Sequence, residues 1–197
     1  MIILGKMRNF RLITLILILV GSLSAQAIMT EVGASYNYKK SSFDSSNTSE
    51  QQSTTGSLSF YFWENIALEM SYTNGLYVKK EQQPDFSGSF LRTTTQYTDV
   101  YGADLIFVLG DRKATFQPYL KGGVAYVKIR QIVQDTNANP WQIDYSGLSP
   151  SYGAGFKFFL TDAFAFRVSY DAIQTPADNS GTKVTDITGR VGVSWMF

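Results

Sequence analysis

The stretch Arg190-Val191-Gly192-Val193-Ser194-Trp195-Met196-Phe197 ends the sequence and is apolar at every odd position. A period of two places alternate side chains on opposite faces of a β-strand. An aromatic end is unusual for a water-soluble chain, in which terminal residues are usually polar and frayed. The stretch therefore predicts a strand with one apolar face, and the rest of the chain has to provide its partners.

The N-terminal segment predicts an export signal. A basic start is followed by an aliphatic run and a small-residue cleavage box, namely Lys6, Arg8 and Arg11, then 12–20, then Ala25-Gln26-Ala27. The aliphatic run is too short to span a bilayer comfortably as a helix. A retained membrane anchor is the alternative, and a start at Met7 would give a more usual signal length. We expect a signal peptide over 1–27 and one mature domain over 28–197.

Composition excludes several classes of chemistry. The chain has no cysteine and no histidine. It therefore lacks thiolate metal ligands and the commonest general base. Cleavage after Ala27 would remove three of the 17 basic residues and no acidic one, so the mature net charge becomes 14 − 16 = −2. Nothing in this balance favours nucleic acid as a partner, and we expect neither a cofactor nor a metal.

The period of two recurs along the whole mature chain. The strands that it predicts are 29–40, 54–62, 66–73, 94–109, 116–130, 151–159, 163–171 and a last one ending at Phe197. Polar segments predict long loops at 41–53, 74–93, 131–150 and 175–182. Short turns are predicted at 63–65, 110–113 and 160–162. Eight strands joined alternately by turns and long loops are typical of an all-β, antiparallel, up-and-down transmembrane barrel.

A soluble barrel of the lipocalin kind would turn the same apolar residues inward. An eight-stranded interior is too narrow for so many large side chains, whereas the opposite face is small and polar with a few charges. The aromatic residues also sort by depth. Those near the short turns are Phe62, Phe107, Phe158, Phe164, Trp195 and Phe197; those near the long loops are Tyr36, Tyr38, Tyr72, Tyr97, Tyr126, Tyr152 and Tyr170. Two aromatic girdles are expected at the two interfaces of a membrane barrel.

The whole mature chain resembles the small outer-membrane barrels of the OmpA, OmpX and opacity-protein kind, which are porin-like in architecture. Its terminal pattern resembles their C-terminal assembly signal at Arg190, Gly192, Trp195 and Phe197. The resemblance implies location in the outer membrane of a Gram-negative bacterium. It also implies contact with lipid, lipopolysaccharide, periplasmic chaperones and the barrel-assembly machinery, and we expect a monomer. Because the sequence stops at the eighth strand, we expect no peptidoglycan-binding domain after it.

The inward face collects charges of both signs. They are Glu31, Glu69, Asp104, Lys121, Lys157, Arg167, Asp171, Asp186 and Arg190. Charges in a narrow lumen have to pair or remain hydrated. We interpret them as a structural plug of ion pairs and water, with a narrow or gated pore as the alternative. Glu31 and Arg190 are a plausible pair, because they lie on the neighbouring first and eighth strands.

Four basic residues have outward parity near the long loops: Lys40, Lys128, Arg130 and Lys183. They are either solvated strand ends or contacts to lipopolysaccharide phosphates.

The polar loops carry scattered aromatic residues, Phe43, Phe86, Phe90 and Trp141, which suit adhesion or recognition of an extracellular ligand. Enzymes built on comparable outer-membrane barrels resemble one another in using an active-site histidine, and this chain has no histidine. The sequence predicts a non-enzymatic envelope protein with surface loops, or alternatively a narrow channel or carrier for small solutes.

Overall fold

The computed structural model describes residues 29–42, 47–85, 88–111, 113–136, 138–176 and 183–197. The strands are β1 (Met29–Ser42), β2 (Thr48–Trp63), β3 (Ile66–Asp85), β4 (Gly88–Val108), β5 (Phe116–Asp135), β6 (Trp141–Phe159), β7 (Phe164–Pro176) and β8 (Lys183–Met196). No helix in the described part of the chain has the length and apolar character to cross a membrane. The predicted signal peptide, Phe43 and Phe86 lie outside the described residues.

The strands form a closed barrel in which each pairs with its neighbours in sequence and β8 returns to β1. All pairings are antiparallel, as the sequence predicts. The last stretch closes the ring, with Tyr36 opposite Val191 and Glu31 opposite Met196. Phe197 continues this pairing, because its amide donates to the Thr30 carbonyl at 2.8 Å. Closure leaves no edge strand, which a lipid environment requires.

The predicted long loops are wrong over much of their length. The segment 74–93 is a continuation of β3 and β4, which stay paired as far as Asp85 and Gly88. Likewise β5 and β6 stay paired as far as Val133 and Trp141. These segments are mostly polar, with Gln as a frequent residue, and cross-strand pairing satisfies their backbone groups. The polar composition of these segments therefore indicates strands that face water on both sides, and not loops.

The strands therefore extend further beyond the apolar band at one end of the barrel than at the other. We call the end that carries connections 64–65, 109–115 and 160–163 the turn end. The opposite end, where the strands run on past the apolar band, is the hairpin end. Tight turns at the turn end include Gly110, whose φ of 134° lies in a region that favours glycine.

The parity assignments are confirmed on every strand. Outward side chains are apolar and exposed, and they form an aromatic row in which Tyr72 lies opposite Tyr101 and Tyr101 opposite Tyr126. The inward side chains are mostly small or polar, but two apolar clusters also face the lumen. The first comprises Tyr61, Ala67, Ile106, Val108 and Tyr119 near the turn end. The second comprises Val100, Ala125, Val127 and Ile129 further toward the hairpin end.

Candidate functional site

Eight of the nine predicted interior charges form one connected group between the two apolar clusters. We call it the charge cluster; it consists of Glu31, Glu69, Asp104, Lys121, Lys157, Arg167, Asp171 and Arg190. Seven of these residues are buried, and the Arg190 side chain is 11% exposed. Asp186, the ninth, is exposed and lies higher in the lumen, toward the hairpin end. Eight of these charges therefore lie together inside the barrel, and Asp186 lines the lumen nearer the hairpin end.

The first part of the cluster joins β1, β2 and β6. The Lys157 ammonium forms an ion pair with Glu31 and donates to the Tyr61 hydroxyl at 2.6 Å. Tyr61 in turn donates to Glu31 Oε2 at 2.7 Å. Lys157 is fully buried, so these contacts replace its hydration. The predicted pair of Glu31 with Arg190 is wrong, because the β1–β8 register sets Glu31 opposite Met196.

The second part centres on Glu69 of β3. Arg167 Nη1 lies 2.6 Å from Glu69 Oε2, and Lys121 Nζ lies 3.3 Å from Oε1. The Arg167 guanidinium also donates to the Tyr119 hydroxyl at 2.7 Å and lies 5.0 Å from the centre of that ring. Gly155 leaves the space for this tyrosine, because a Cβ there would lie 2.6 Å from its hydroxyl.

The third part centres on Asp171 of β7. Its two carboxylate oxygens each lie 2.7 Å from a cation, Lys121 Nζ on one side and Arg190 Nη1 on the other. Lys121 also lies 3.8 Å from Asp104, which accepts a hydrogen bond from Ser151. Four carboxylates therefore face four cations. Charge balance of this kind is what allows ionised groups to be buried together.

The ion pairs of the charge cluster cross the lumen, where they join β1 to β6 and β3 to β7. The spaces between its side chains include two of about 20 Å³ each, bordered by Lys121, Asp171 and Arg190. A space of this size accommodates about one water molecule. Among the described residues, no group of three or more acidic side chains is arranged to hold a metal ion. The geometry supports hydration and ion pairing at this level of the barrel.

Above the charge cluster the lumen opens into a cavity of about 350 Å³ toward the hairpin end, which we call the vestibule. Its floor is formed by Asp171 and Arg190, and Asp186 lies in its wall. The sequence interpretation missed this space and the apolar residues that line it. The inward parity of Val100, Val127 and Ile129 was the available signal.

Near the hairpin end, where β4 and β5 run on past the apolar band, Arg92 binds Asp135 through two hydrogen bonds of 2.7 and 2.9 Å. Its guanidinium lies 5.6 Å from the ring centres of both Phe90 and Trp141. The hydrogen bonds from Arg92 hold the pKa of the Asp135 carboxyl below its ordinary value. Phe90 and Trp141 were predicted in loops, but they lie on β4 and β6, where they help to order this extension.

The four residues predicted to contact lipopolysaccharide do not lie at one place on the outer surface of the barrel. Lys128 and Arg130 lie together on the outer face of β5, where Lys128 Nζ is 5.5 Å from the Tyr101 ring centre and Arg130 is 3.7 Å from Asp144. Lys40 lies on β1, away from this pair, in a position opposite Glu50. The Lys183 side chain lies outside the described part of the chain.

The predicted assembly signal occupies both faces of β8. Trp195 and Phe197 are exposed on the outside, where Trp195 packs edge-on against Phe164 with ring centres 5.9 Å apart. Arg190 and Gly192 face inward, and a Cβ at Gly192 would lie 2.6 Å from the Ser35 side chain. Recognition of this stretch by the barrel-assembly machinery stays a prediction.

Comparison with solved structures finds barrels of similar size. The N-terminal β-barrel domain of OprF from Pseudomonas aeruginosa is 18% identical with a TM-score of 0.57, and covers 86% of this chain and 97% of that chain. Neisserial surface protein A is 15% identical with a TM-score of 0.56 and the same coverage. OprG from Pseudomonas aeruginosa is 11% identical with a TM-score of 0.55, covering 89% and 98%. At these identities the likeness shows the fold alone.

Sequence comparison gives the family directly. No curated protein matches the chain at a significant level. The family described as "Outer membrane protein beta-barrel domain" matches residues 13–197, which is most of the sequence. A closed eight-stranded ring with an apolar outer face agrees with that match. The chain therefore belongs to the outer membrane protein beta-barrel family, and its place is the bacterial outer membrane.

Proposed function

We propose that this protein is a non-enzymatic scaffold of the Gram-negative outer membrane, with a plugged lumen and with hairpins displayed at the cell surface. The observation that supports the plug is the charge cluster, in which four carboxylates and four cations bind one another across the lumen. Such an array is held by its mutual contacts and resists opening, because a separated buried charge is strongly unfavourable.

The hairpin end is the part proposed to face outward. The paired extensions of β3–β4 and β5–β6 run past the apolar band and are rich in polar residues. Extended, ordered hairpins of this kind offer a rigid surface for adhesion or for recognition of an extracellular ligand. A cleaved signal peptide over 1–27, periplasmic chaperones and the barrel-assembly machinery would deliver the chain as a monomer.

Contact with lipopolysaccharide is proposed for the Lys128 and Arg130 pair. Both side chains face outward on the hairpin side of the aromatic row. Lys128 Nζ lies 5.5 and 5.8 Å from the ring centres of Tyr101 and Tyr126, and Arg130 lies opposite Tyr97. Cations beside an aromatic girdle are well placed to bind phosphate groups of a lipid. We expect Lys128→Ala to reduce the amount of lipopolysaccharide that co-purifies. Lys113→Ala at the turn end is the control, and equal retention by both variants would contradict the assignment.

A channel or carrier for small solutes is the second candidate. The vestibule supports it, because it extends down to Asp171 and Arg190 and leaves only the charge cluster and the apolar cluster beneath to cross. Movement of the charge cluster would then connect the two ends of the lumen. This candidate requires that the ion pairs exchange partners without losing charge balance.

Planar-bilayer recording of the mature protein separates the two candidates. The scaffold proposal predicts no steady conductance from the wild type. Glu69→Ala and Arg167→Ala each remove one partner of a central ion pair and are expected to produce small openings, while Glu64→Ala in a turn is the control. Reproducible wild-type openings that these substitutions alter would instead establish a pore.

A further inference from the structure

A row of polar side chains lies on the outer face of the barrel, on the hairpin side of the aromatic row. In this polar row Asn74 lies opposite Asp99, Asp99 opposite Lys128, and Lys128 opposite Ser146. The first three each lie two residues along their strand from a tyrosine of the aromatic row. Because aromatic girdles lie at the interfaces between a membrane and water, we expect the polar row to lie at the level of the lipid headgroups.

The Asp99 carboxylate is oriented by two side chains of β3. The Tyr72 hydroxyl donates to Asp99 Oδ1 at 2.6 Å, and the Asn74 amide donates to the same oxygen at 3.0 Å. Among the described residues, neither a hydrogen bond nor an ion pair reaches the second oxygen, Oδ2, which is not buried. An ionised carboxylate accepts about four hydrogen bonds over its two oxygens. Asp99 Oδ2 is therefore available to a donor from a bound molecule.

Asp144 is a second acidic residue on this part of the outer face, and both of its oxygens are engaged. Arg130 Nε lies 3.7 Å from Asp144 Oδ1, and the Gln142 amide donates to Oδ2 at 2.6 Å. The two aspartates therefore flank the same pair of cations, Lys128 and Arg130, but differ in what they offer. Asp144 is satisfied by the chain itself, whereas Asp99 presents an accessible oxygen.

The mixture of charges in the polar row limits the class of ligand. Lys128 and Arg130 favour an anion such as a phosphate group. Asp99 lies opposite Lys128 on the neighbouring strand, so it repels a ligand that offers only negative charge. A ligand that also carries hydroxyl or amide donors makes the same carboxylate a favourable partner, because hydrogen bonds to a charged group are stronger than those between neutral groups. A phosphorylated sugar has this combination of groups.

We propose that Asp99 selects glycolipids, by accepting a hydrogen bond from a hydroxyl or amide group of the sugar whose phosphate binds Lys128 and Arg130. The inference rests on the proposed lipopolysaccharide contact of that pair, and it adds the part of the lipid that is recognised besides the phosphate. A phospholipid with a bare phosphate headgroup supplies the anion without the sugar donors. The polar row therefore favours a glycolipid over such a phospholipid.

The test compares two lipids that each carry a single phosphate: monophosphoryl lipid A, which has a sugar headgroup, and phosphatidic acid, which has none. The mature protein is folded in detergent micelles, and the binding of each lipid is titrated by native mass spectrometry. We expect the wild type to bind lipid A more tightly than phosphatidic acid. Asp99→Asn keeps the shape of the side chain and removes its charge, so binding of lipid A should weaken by roughly fivefold. Binding of phosphatidic acid should stay unchanged or become tighter, because a repelling charge is lost.

Two further variants separate this inference from the proposed phosphate contact. Asp144→Asn is the matched control, because it removes a carboxylate beside the same cations without removing an unoccupied acceptor, and it should not weaken binding of lipid A. Lys128→Ala should weaken binding of both lipids; if it has no effect, the phosphate contact is wrong, whereas Asp99→Asn judges the sugar contact in either case. The inference is overturned if Asp99→Asn leaves binding of lipid A unchanged or strengthens it, if it weakens both lipids equally, or if Asp144→Asn weakens lipid A as much.

Discussion

The charge cluster and the vestibule occupy the same lumen, obey the same inward parity and meet at Asp171 and Arg190, yet they differ in packing and in polarity. The charge cluster is tightly packed, ionised and balanced, with spaces for about one water molecule. The vestibule is open, with a volume of about 350 Å³, and has Val100, Val127 and Ile129 along one wall. Parity therefore fixes only which side chains face inward. Whether they close the lumen depends on whether their side chains are long enough to meet across it.

The largest expected effect is the difference in the free energy of unfolding between a substitution in the charge cluster and one in the vestibule wall. Glu69→Ala leaves Arg167 and Lys121 buried without their shared carboxylate, so we expect a loss of roughly 3–5 kcal/mol in the free energy of unfolding. Thr98→Ala in the vestibule wall removes no charge and is expected to cost about 0.5 kcal/mol or less. Urea unfolding in lipid vesicles, followed by tryptophan fluorescence, measures both.

A double substitution sharpens this test. Removing both partners in Glu69→Ala/Arg167→Ala leaves fewer uncompensated charges, so its effect is expected to fall well below the sum of the two single effects. If Glu69→Ala is no more destabilising than Thr98→Ala, the ion pairs do not hold the cluster together.

An intermediate effect is expected for the tyrosine hydroxyls of the charge cluster. Tyr61 donates to Glu31 and accepts from Lys157, so Tyr61→Phe leaves both with one hydrogen bond fewer. We expect a loss of roughly 1–2 kcal/mol in the same unfolding measurement. Tyr101→Phe on the lipid face is the control and should be close to neutral. Equal effects would mean that the Tyr61 hydroxyl is not part of the network.

The smallest expected effect is local and concerns the Arg92–Asp135 pair near the hairpin end. Arg92 lowers the pKa of Asp135, so the stabilisation from this pair is complete above the unfolded pKa of about 3.9 and is lost as the pH falls through the lower folded pKa. The carboxyl carbon resonance of Asp135 should therefore titrate below its ordinary value. Arg92→Gln should move that midpoint upward, and an unchanged midpoint would contradict the pairing.

Much of the fold follows from the period of two, because each strand near the middle of the barrel has one lipid face and one lumen face. Leu120, Val124 and Tyr126 against Tyr119, Lys121 and Ala125 illustrate how complete this alternation is on β5. The extensions were missed for the same reason. Beyond the apolar band both faces meet water, so the period disappears although Arg92 and Asp135 are still paired in register.

The membership of the charge cluster could be predicted, but its pairing could not. Glu31 binds Lys157 of β6 rather than Arg190 of the neighbouring β8, because contacts across a narrow lumen depend on the height of each residue along its strand. That height is set by the register, which no sequence pattern reveals. Tyr61 and Tyr119 have inward parity, but the sequence does not reveal that their hydroxyls complete the ion network.

Cysteine accessibility tests the central distinction most directly, since the chain contains no cysteine of its own. Thr98→Cys lies in the vestibule wall, whereas Ser59→Cys lies beside Glu69 in the charge cluster. A membrane-impermeant thiol reagent is applied to the folded protein in lipid bilayers from the hairpin side. An open vestibule above a closed cluster predicts rapid labelling of Thr98→Cys and labelling of Ser59→Cys only after unfolding. Equal labelling rates in the folded protein would contradict the account.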